Sequence, residues 1–124
     1  GIFSLGNLYY RKDRHQKPPT KIKCITIKKD MGWCDDAESK RYYNRLIKIR
    51  KNIHYEKLYR KDYKYDFVIP INYNTKNPQL GKGSAIFIHI TKKLKPTLGC
   101  IALREKDFLI LLKIINKHTK IKLG

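Results

Sequence analysis

The sequence predicts one mainly β domain, residues 1–124, with a single amphipathic helix near its C-terminal end. Three observations favour this fold class. The β-branched and apolar runs are short and are bounded by Gly, Pro, Asn and Lys. Only one stretch repeats its apolar residues at helical spacing. The length of 124 residues is sufficient for one core without disulfide bonds and leaves no room for a second domain.

The N-terminal half contains two predicted strands and one ambiguous segment. An extended piece is expected at residues 2–5, followed by a loop that ends at the Pro-Pro pair. Residues 20–27, TKIKCITI, alternate in part and are rich in β-branched side chains, so they predict a strand. A turn is expected at residues 29–32. Residues 37–54 are charged with loosely spaced apolar positions, and they fit either a helix or an ordered loop.

The C-terminal half contains clearer strand patterns. Residues 65–73, YDFVIPINY, predict a strand in which Pro70 lacks a backbone donor, so we expect an edge position or a bulge there. Residues 84–90, SAIFIHI, form the strongest strand pattern because they are apolar on both faces and bounded by Gly and Lys. Residues 99–103, GCIAL, predict a short strand, and residues 121–123 predict another.

The predicted helix covers residues 104–117, REKDFLILLKIINK. Its apolar side chains recur on one face, with acidic residues in the first turn and basic residues toward the end, where each sign suits the helix dipole. The apolar face comprises Phe108, Leu111, Leu112 and Ile115, and the charged ends comprise Glu105, Asp107, Lys113 and Lys117.

The net charge is +19, from 29 Lys and Arg against 10 Asp and Glu. An anionic partner is therefore expected, and the charge alone does not choose between nucleic acid, membrane head groups and the anionic polymers of a bacterial wall. The abundance of Lys, Ile, Asn and Tyr is also typical of AT-biased coding, which accounts for part of this charge. No apolar run reaches the roughly 18 residues that a bilayer span needs, and no signal-peptide pattern is present.

Three cysteines limit the redox and metal chemistry. Cys24, Cys34 and Cys100 form an odd set without a CxxC pair, so their spacing predicts neither a disulfide framework nor a four-cysteine zinc site. At least one thiol is expected to remain outside any disulfide within the chain, and Cys34 is interpreted as structural.

His89 and Cys100 are the best candidates for chemistry. A thiol reacts as the thiolate, which a nearby imidazole or a run of backbone N–H groups favours. Gly99 directly precedes Cys100 and allows the backbone to approach a substrate carbonyl. The spacing suits a hairpin that brings both side chains within hydrogen-bond reach. The alternative, a satisfied core histidine and a small buried cysteine, is favoured by the spacing alone.

The stretches GKGSAIFIHI and PTLGCIAL together resemble the L,D-transpeptidase catalytic domain family. Its signature is a histidine at the end of a strand, followed by Ser or Thr, His, Gly and Cys. His89 matches the catalytic histidine, Thr97 the Ser or Thr, Gly99 the glycine and Cys100 the nucleophile. Leu98 stands where common members carry a second histidine.

Other positions resemble a divergent branch of the family. Ala102 replaces Arg or Asn, the interval from histidine to cysteine is short, and GSAIFIH, which contains Ser84, occurs with TxGCxAL and WCDD. Gly1, Phe3 and Leu5 resemble the end of a P-x-G-x-F stretch, which would place the opening strands of the domain before Gly1.

The resemblance implies a β-sandwich of mixed sheets with one or two short helices, and a ping-pong acyl transfer. Cys100 would attack the carbonyl that joins the third residue of a peptidoglycan stem, a diamino acid, to a terminal D-Ala. His89 would stabilise the thiolate and protonate the leaving D-Ala. The amides of Gly99 and Cys100 would form the oxyanion hole beside Thr97 and Leu98. An amine of a neighbouring stem would complete a cross-link, whereas water would make the domain an L,D-carboxypeptidase.

The resemblance also implies the partners and the compartment. Donor and acceptor stem peptides are the expected partners, with no metal or cofactor, in a monomer of the bacterial cell envelope, periplasmic or otherwise extracytoplasmic. The alternative class is a non-catalytic basic module that binds nucleic acid or a wall polyanion. Residues 57–66, KLYRKDYKYD, interleave basic and aromatic side chains as nucleic-acid binders do. They contain no recognisable binding motif and are interpreted as a solvated surface, so no specific nucleic acid is expected.

WCDD is the second candidate site. Trp33 could flank the cleft, with Asp35 and Asp36 holding the amine of the diamino acid, and His54 could line the same cleft. The alternatives are a turn with a packed aromatic residue and an ordinary surface histidine. Ser84 joins the candidate site through its place in GSAIFIH.

Overall fold

The computed structural model describes residues 1–93 and 100–124. This described part forms ten strands and one helix. In chain order they are β1 (Ile2–Ser4), β2 (Leu8–Tyr10), β3 (Cys24–Thr26), β4 (Met31–Cys34), β5 (Leu46–Lys48), β6 (Tyr55–Lys57), β7 (Phe67–Pro70), β8 (Phe87–Ile90), β9 (Ile101–Leu103), α1 (Glu105–Ile114) and β10 (Lys120–Lys122).

The central sheet has five strands in the order β3-β2-β7-β8-β9. It is mixed, because the outer pairs β2–β3 and β8–β9 are parallel and the inner pairs are antiparallel. A three-stranded sheet, β5-β4-β6, and a two-stranded sheet, β1-β10, are antiparallel. The predicted fold class is confirmed: the domain is mainly β, its strands form mixed sheets, and its helix lies near the C-terminal end.

The central sheet has a different layer on each face. Helix α1 covers one face, where Phe108 and Leu112 pack with Ile69 and Ile88. The three-stranded sheet covers the other face, and its Trp33 belongs to the same buried cluster as residues of β2, β7 and β8. Because side chains alternate along a strand, neighbouring residues of one strand contribute to the apolar clusters on both faces of the sheet. The fold is therefore layered, with apolar contacts on both sides of the central sheet.

Phe108 is the helix residue whose loss should destabilise the fold most. Its side chain is fully buried, with its ring centroid 6.0 Å from that of Phe67. We expect Phe108→Ala to lower the free energy of unfolding by about 3–5 kcal/mol, because it removes buried apolar surface and leaves a cavity. Urea unfolding measures the difference. Ile114→Ala, on the same helix but 70% exposed, is the control and should change stability by less than about 0.5 kcal/mol.

Strand β2 was not predicted, since residues 6–19 were interpreted as loop. It lies inside the central sheet between β3 and β7, and all of its residues are buried. Its three apolar residues are too few to show a period, and long-range pairing to β7 forms the strand. The expected turn at residues 29–32 is also shorter, because β4 begins at Met31. Residues 37–54 contain the short strand β5 among turns and no helix.

Pro70 does not lie on an edge strand, because β7 pairs with both β2 and β8. It is the last residue of β7 and lies opposite Phe87. The next residue, Ile71, donates its N–H to the Ile86 carbonyl at 2.8 Å. Because N–H groups alternate in direction along a strand, an N–H at position 70 would point away from β8. The Pro70 carbonyl accepts the Gly6 N–H at 2.7 Å. Pro70 therefore removes no hydrogen bond between β7 and β8.

Candidate active site

The sheet places His89 and Cys100 on the same face. His89 and Phe87 are two residues apart on β8, so their side chains point to the same side. Cys100 packs against the buried cluster that contains Phe87, and it immediately precedes β9. The expected hairpin is wrong, because β8 and β9 pair in parallel with Ile88 opposite Ile101.

His89 is buried and held in one tautomer. Its Nδ1 lies 3.0 Å from the Ile90 carbonyl oxygen. A carbonyl only accepts hydrogen bonds, so Nδ1 carries the proton and Nε2 keeps its lone pair. Burial lowers the pKa of His89 below the ordinary imidazole value, and the positive charges of Lys64 and Arg60 act in the same direction. The ring is therefore neutral at neutral pH and available as a proton acceptor.

The Cys100 thiol lies beside a strained turn. Its S–H donates to the Ala85 carbonyl oxygen at 3.4 Å, and the residue is half-buried. Ala85 has a φ of 57°, a left-handed conformation that a residue with a Cβ adopts at a cost. Its N–H donates to Asn44 Oδ1 at 3.2 Å. The carbonyl of Ala85 thus contacts the candidate nucleophile, and its N–H contacts the buried side-chain amide of Asn44.

The side chain of Asn44 joins several segments of the site, and no local sequence pattern indicates this role. Its side-chain oxygen also accepts the Trp33 indole N–H at 2.8 Å, and its side-chain nitrogen donates to the carbonyls of Tyr73 and Asn74 at 2.9 and 2.7 Å. Trp33 is buried, with its ring edge-on to Phe87 at 5.3 Å between centroids. The indole thus supports the wall of the site from within the core.

Tyr65 forms another part of the site that the sequence did not reveal. Its ring is edge-on to His89 at 6.0 Å between centroids, and its hydroxyl donates to Glu56 Oε1 at 2.8 Å. Burial and the Glu56 carboxylate raise the pKa of Tyr65, so the phenol stays protonated. Glu56 also lies 3.8 Å from the Arg60 guanidinium. The tyrosine that packs against the imidazole is therefore hydrogen-bonded to a carboxylate, which in turn lies beside an arginine.

The two acids of WCDD have different surroundings. Asp35 is paired with the imidazole of His54 on an open part of the surface. Asp36 accepts the backbone N–H groups of His54 and Glu38, each at 3.0 Å, which lowers the pKa of Asp36. Asp36 thus holds the loop together, while Asp35 and His54 face solvent.

Ser84 and Cys34 connect WCDD to the strand that carries the histidine. The Ser84 hydroxyl donates to the Cys34 carbonyl oxygen at 2.6 Å, and Cys34 is fully buried. The structure thus joins the segment around Ser84, whose neighbour Ala85 contacts Cys100, to β4 by a direct hydrogen bond.

The pairing of His54 with Asp35 should be visible in a titration. The hydrogen bond and the charge of Asp35 raise the pKa of His54. We expect NMR to show His54 titrating above about 6.5, the ordinary value, and Asp35→Asn to bring the midpoint back down. The stabilisation is present below the ordinary value and is lost as the pH rises through the raised pKa. An unchanged midpoint in Asp35→Asn would contradict the pairing.

Three of the predicted site residues, Thr97, Leu98 and Gly99, fall outside the described residues. Their proposed roles therefore stay predictions. Within residues 1–93 and 100–124, no three His, Cys, Asp or Glu side chains come together in a way that could hold a metal ion. The helix in that same part is too short and polar to cross a membrane.

The fold and the site define a mainly β domain that presents a cysteine and a neutral histidine on one face of a mixed sheet. The sequence model of the L,D-transpeptidase catalytic domain, the YkuD family, matches residues 1–123, so the chain belongs to this family. The family acts on cell-wall peptidoglycan, and the domain is therefore of the L,D-transpeptidase type. No curated protein and no solved structure matches the chain.

Proposed function

We propose that the protein is a cysteine acyltransferase that acts on peptidoglycan stem peptides in the bacterial cell envelope. The observation that carries this proposal is that Cys100, directly before β9, packs against the cluster that contains Phe87, on the face of β8 that carries His89. His89 Nε2 is left as a lone-pair acceptor. Membership of the family supplies the substrate class. A metal or cofactor plays no part in the proposed reaction.

The proposed reaction has two steps. His89 takes the proton of the Cys100 thiol, and the sulfur attacks the carbonyl that joins the third stem residue to the terminal D-Ala. The carbon–nitrogen bond breaks, His89 returns the proton to the amine of the departing D-Ala, and a thioester remains on Cys100. The amine of a neighbouring stem then attacks the thioester and releases the thiol. The backbone N–H groups of Gly99 and Cys100 are the proposed donors to the oxyanion.

Asp35 is the better candidate of the two acids for holding the substrate amine. Asp36 uses both carboxylate oxygens on backbone N–H groups, whereas the Asp35 side chain is 26% exposed and carries only its histidine partner in the described structure. An amine of the diamino acid would replace the exposed His54 imidazole at little cost, because that ring is 76% exposed. We therefore assign the amine contact to Asp35 and the shaping of the loop to Asp36.

Nucleic-acid binding through residues 57–66 has less support. Base stacking needs open aromatic faces. Tyr59 lies under the Arg11 guanidinium at 3.6 Å, Tyr63 lies under the Lys92 ammonium at 4.6 Å, and Tyr65 is buried. Cations therefore cover the rings of Tyr59 and Tyr63, and the core buries the ring of Tyr65, so these rings are not open for the base stacking that nucleic-acid binding requires.

The proposal is tested by incubating the protein with a tetrapeptide stem and measuring its intact mass with time. We expect release of D-Ala and a mass increase equal to the tripeptide acyl group on Cys100. Added acceptor stem should then yield a cross-linked dimer, whereas a tripeptide product alone would identify a carboxypeptidase. If neither D-Ala release nor an acyl adduct is observed, the acyltransferase function is contradicted.

A further inference from the structure

A basic groove lies beside the candidate active site. Two adjoining pockets of about 240 and 420 Å³ share the side chains of Lys57, Tyr59, Arg60 and Lys61. Arg11, Arg14 and Lys29 complete the lining of the first pocket, so six cations surround one tyrosine. Together these seven residues are called the basic groove. It adjoins the active site through Arg60, whose guanidinium lies 5.5 Å from the centroid of the Tyr65 ring.

The arginines of the groove are already engaged. Arg11 makes a two-bonded pair with Asp13, at 2.8 and 2.7 Å, and Arg60 makes a similar pair with Asp62. The guanidinium of Arg60 lowers the pKa of Asp62 to about 2, so this pair persists through the physiological range. Arg14 bonds to Asp66 and to backbone carbonyls of residues 60–62. The guanidinium groups therefore hold the groove together and are not available to grip a carboxylate with two parallel bonds.

The lysines of the groove remain available. Lys29, Lys57 and Lys61 are exposed, and none of them forms an ion pair with a described residue. The groove therefore offers three exposed ammonium charges beside arginines that are held by their acidic partners. An ammonium group binds a phosphate as a point charge and needs no fork geometry, so the three lysines can contact successive phosphates of one chain. The ring of Tyr59 lies under Arg11 and is not open for a base to stack on.

We propose that the basic groove binds a linear cell-wall polyanion whose charges are phosphodiester groups. Binding is carried by Lys29, Lys57 and Lys61, and it places the domain along the anionic polymer with its active site alongside. This function is separate from acyl transfer, because His89 bonds to the Ile90 carbonyl and Cys100 to the Ala85 carbonyl, and neither of these two hydrogen bonds involves a groove lysine.

The test uses labelled poly(glycerol phosphate), a linear phosphodiester polymer without bases, as the probe at salt concentrations from about 50 to 200 mM. The groove variant carries Lys29→Gln, Lys57→Gln and Lys61→Gln. The matched control carries Lys40→Gln, Lys51→Gln and Lys106→Gln, three exposed lysines outside the groove, so that both variants have the same net charge. We expect the groove variant to bind at least about tenfold more weakly. The slope of log K against log salt concentration should fall in magnitude by roughly two to three, about one for each lost lysine contact. The control should stay within about twofold of the wild type.

Three outcomes would overturn the proposal. Equal losses in both variants would show that binding depends on total charge and not on the groove. Tighter groove-dependent binding to a DNA oligonucleotide than to poly(glycerol phosphate) would assign the groove to nucleic acid. Groove-dependent binding to anionic lipid vesicles in place of poly(glycerol phosphate) would assign it to membranes. Single Lys→Gln variants, each with about one third of the slope change, replace the triple variant if it does not fold. Acylation by the tetrapeptide stem should be unchanged in the groove variant, so this proposal and the acyltransferase proposal fail separately.

Discussion

Replacing Cys100 with Ala is expected to abolish acyl transfer, with turnover falling at least about 1,000-fold. The sulfur is the only atom of the proposed mechanism that forms a bond to the substrate, so no other side chain can replace it. The intact mass after incubation with a tetrapeptide stem should show no adduct, and a carbapenem should likewise leave the mass of the variant unchanged. Retention of either adduct in Cys100→Ala would place the nucleophile elsewhere.

The other cysteines provide the matched controls for this experiment. Cys34 is fully buried, and burial raises the pKa of Cys24, so neither thiol competes well for an electrophile at neutral pH. Cys24→Ala should therefore acylate like the wild type. Alkylation at neutral pH should modify Cys100 first, and equal reactivity of Cys24 and Cys100 would remove the main support for a special environment around Cys100.

Replacing His89 with Gln is expected to lower turnover by about 100- to 10,000-fold, because it removes the proton acceptor while preserving size and hydrogen bonding. The acidic limb of the pH profile of kcat/KM should lie below about 6.5 in the wild type, since burial lowers the pKa of His89. This limb should be lost in His89→Gln. The exposed His118→Gln is the control and should leave the profile unchanged. A wild-type profile in His89→Gln would contradict its role as the base.

The same buried imidazole should make stability depend on pH. The unfolded chain binds a proton at His89 more readily than the folded protein, because the folded-state pKa is lowered. Stability should therefore decrease as the pH falls through about 6.5 and below, and the urea midpoint of His89→Gln should decrease less. An identical pH dependence in both proteins would show that His89 does not titrate differently on folding.

The elements with regular local patterns could be predicted from the sequence. Helix α1 has apolar side chains at helical spacing, and strand β8 lies in a short run that is apolar on both faces. Phe108 and Ile88, which these patterns indicate as core residues, are buried in the core. His89 and Cys100 could be singled out because they stand in family motifs. Each of these signals lies within a short window, so neighbours in sequence are sufficient to reveal it.

The features that depend on distant partners could not be predicted. Strand β2 exists because it lies between β3 and β7, and the parallel pairing of β8 with β9 is a tertiary contact that neither strand's own sequence indicates. Asn44 joins segments up to 41 residues away, and nothing in YYNRL distinguishes it from a surface asparagine. Tyr65 and Glu56 also meet through tertiary packing. Positions of this kind are fixed by contacts that the linear pattern does not contain.

The pairing of β1 with β10 has a consequence for how the protein forms during synthesis. Ile2 lies opposite Lys122, so this sheet joins two strands about 120 residues apart in the sequence. Phe3 and Leu5 belong to the same core as Ile121 and therefore stay uncovered until the residues of β10 have left the ribosome. Contacts of such long separation form slowly, and apolar segments that wait for them tend to aggregate. The exposure of β1 before β10 is synthesised is thus the step at which this domain is most prone to aggregation.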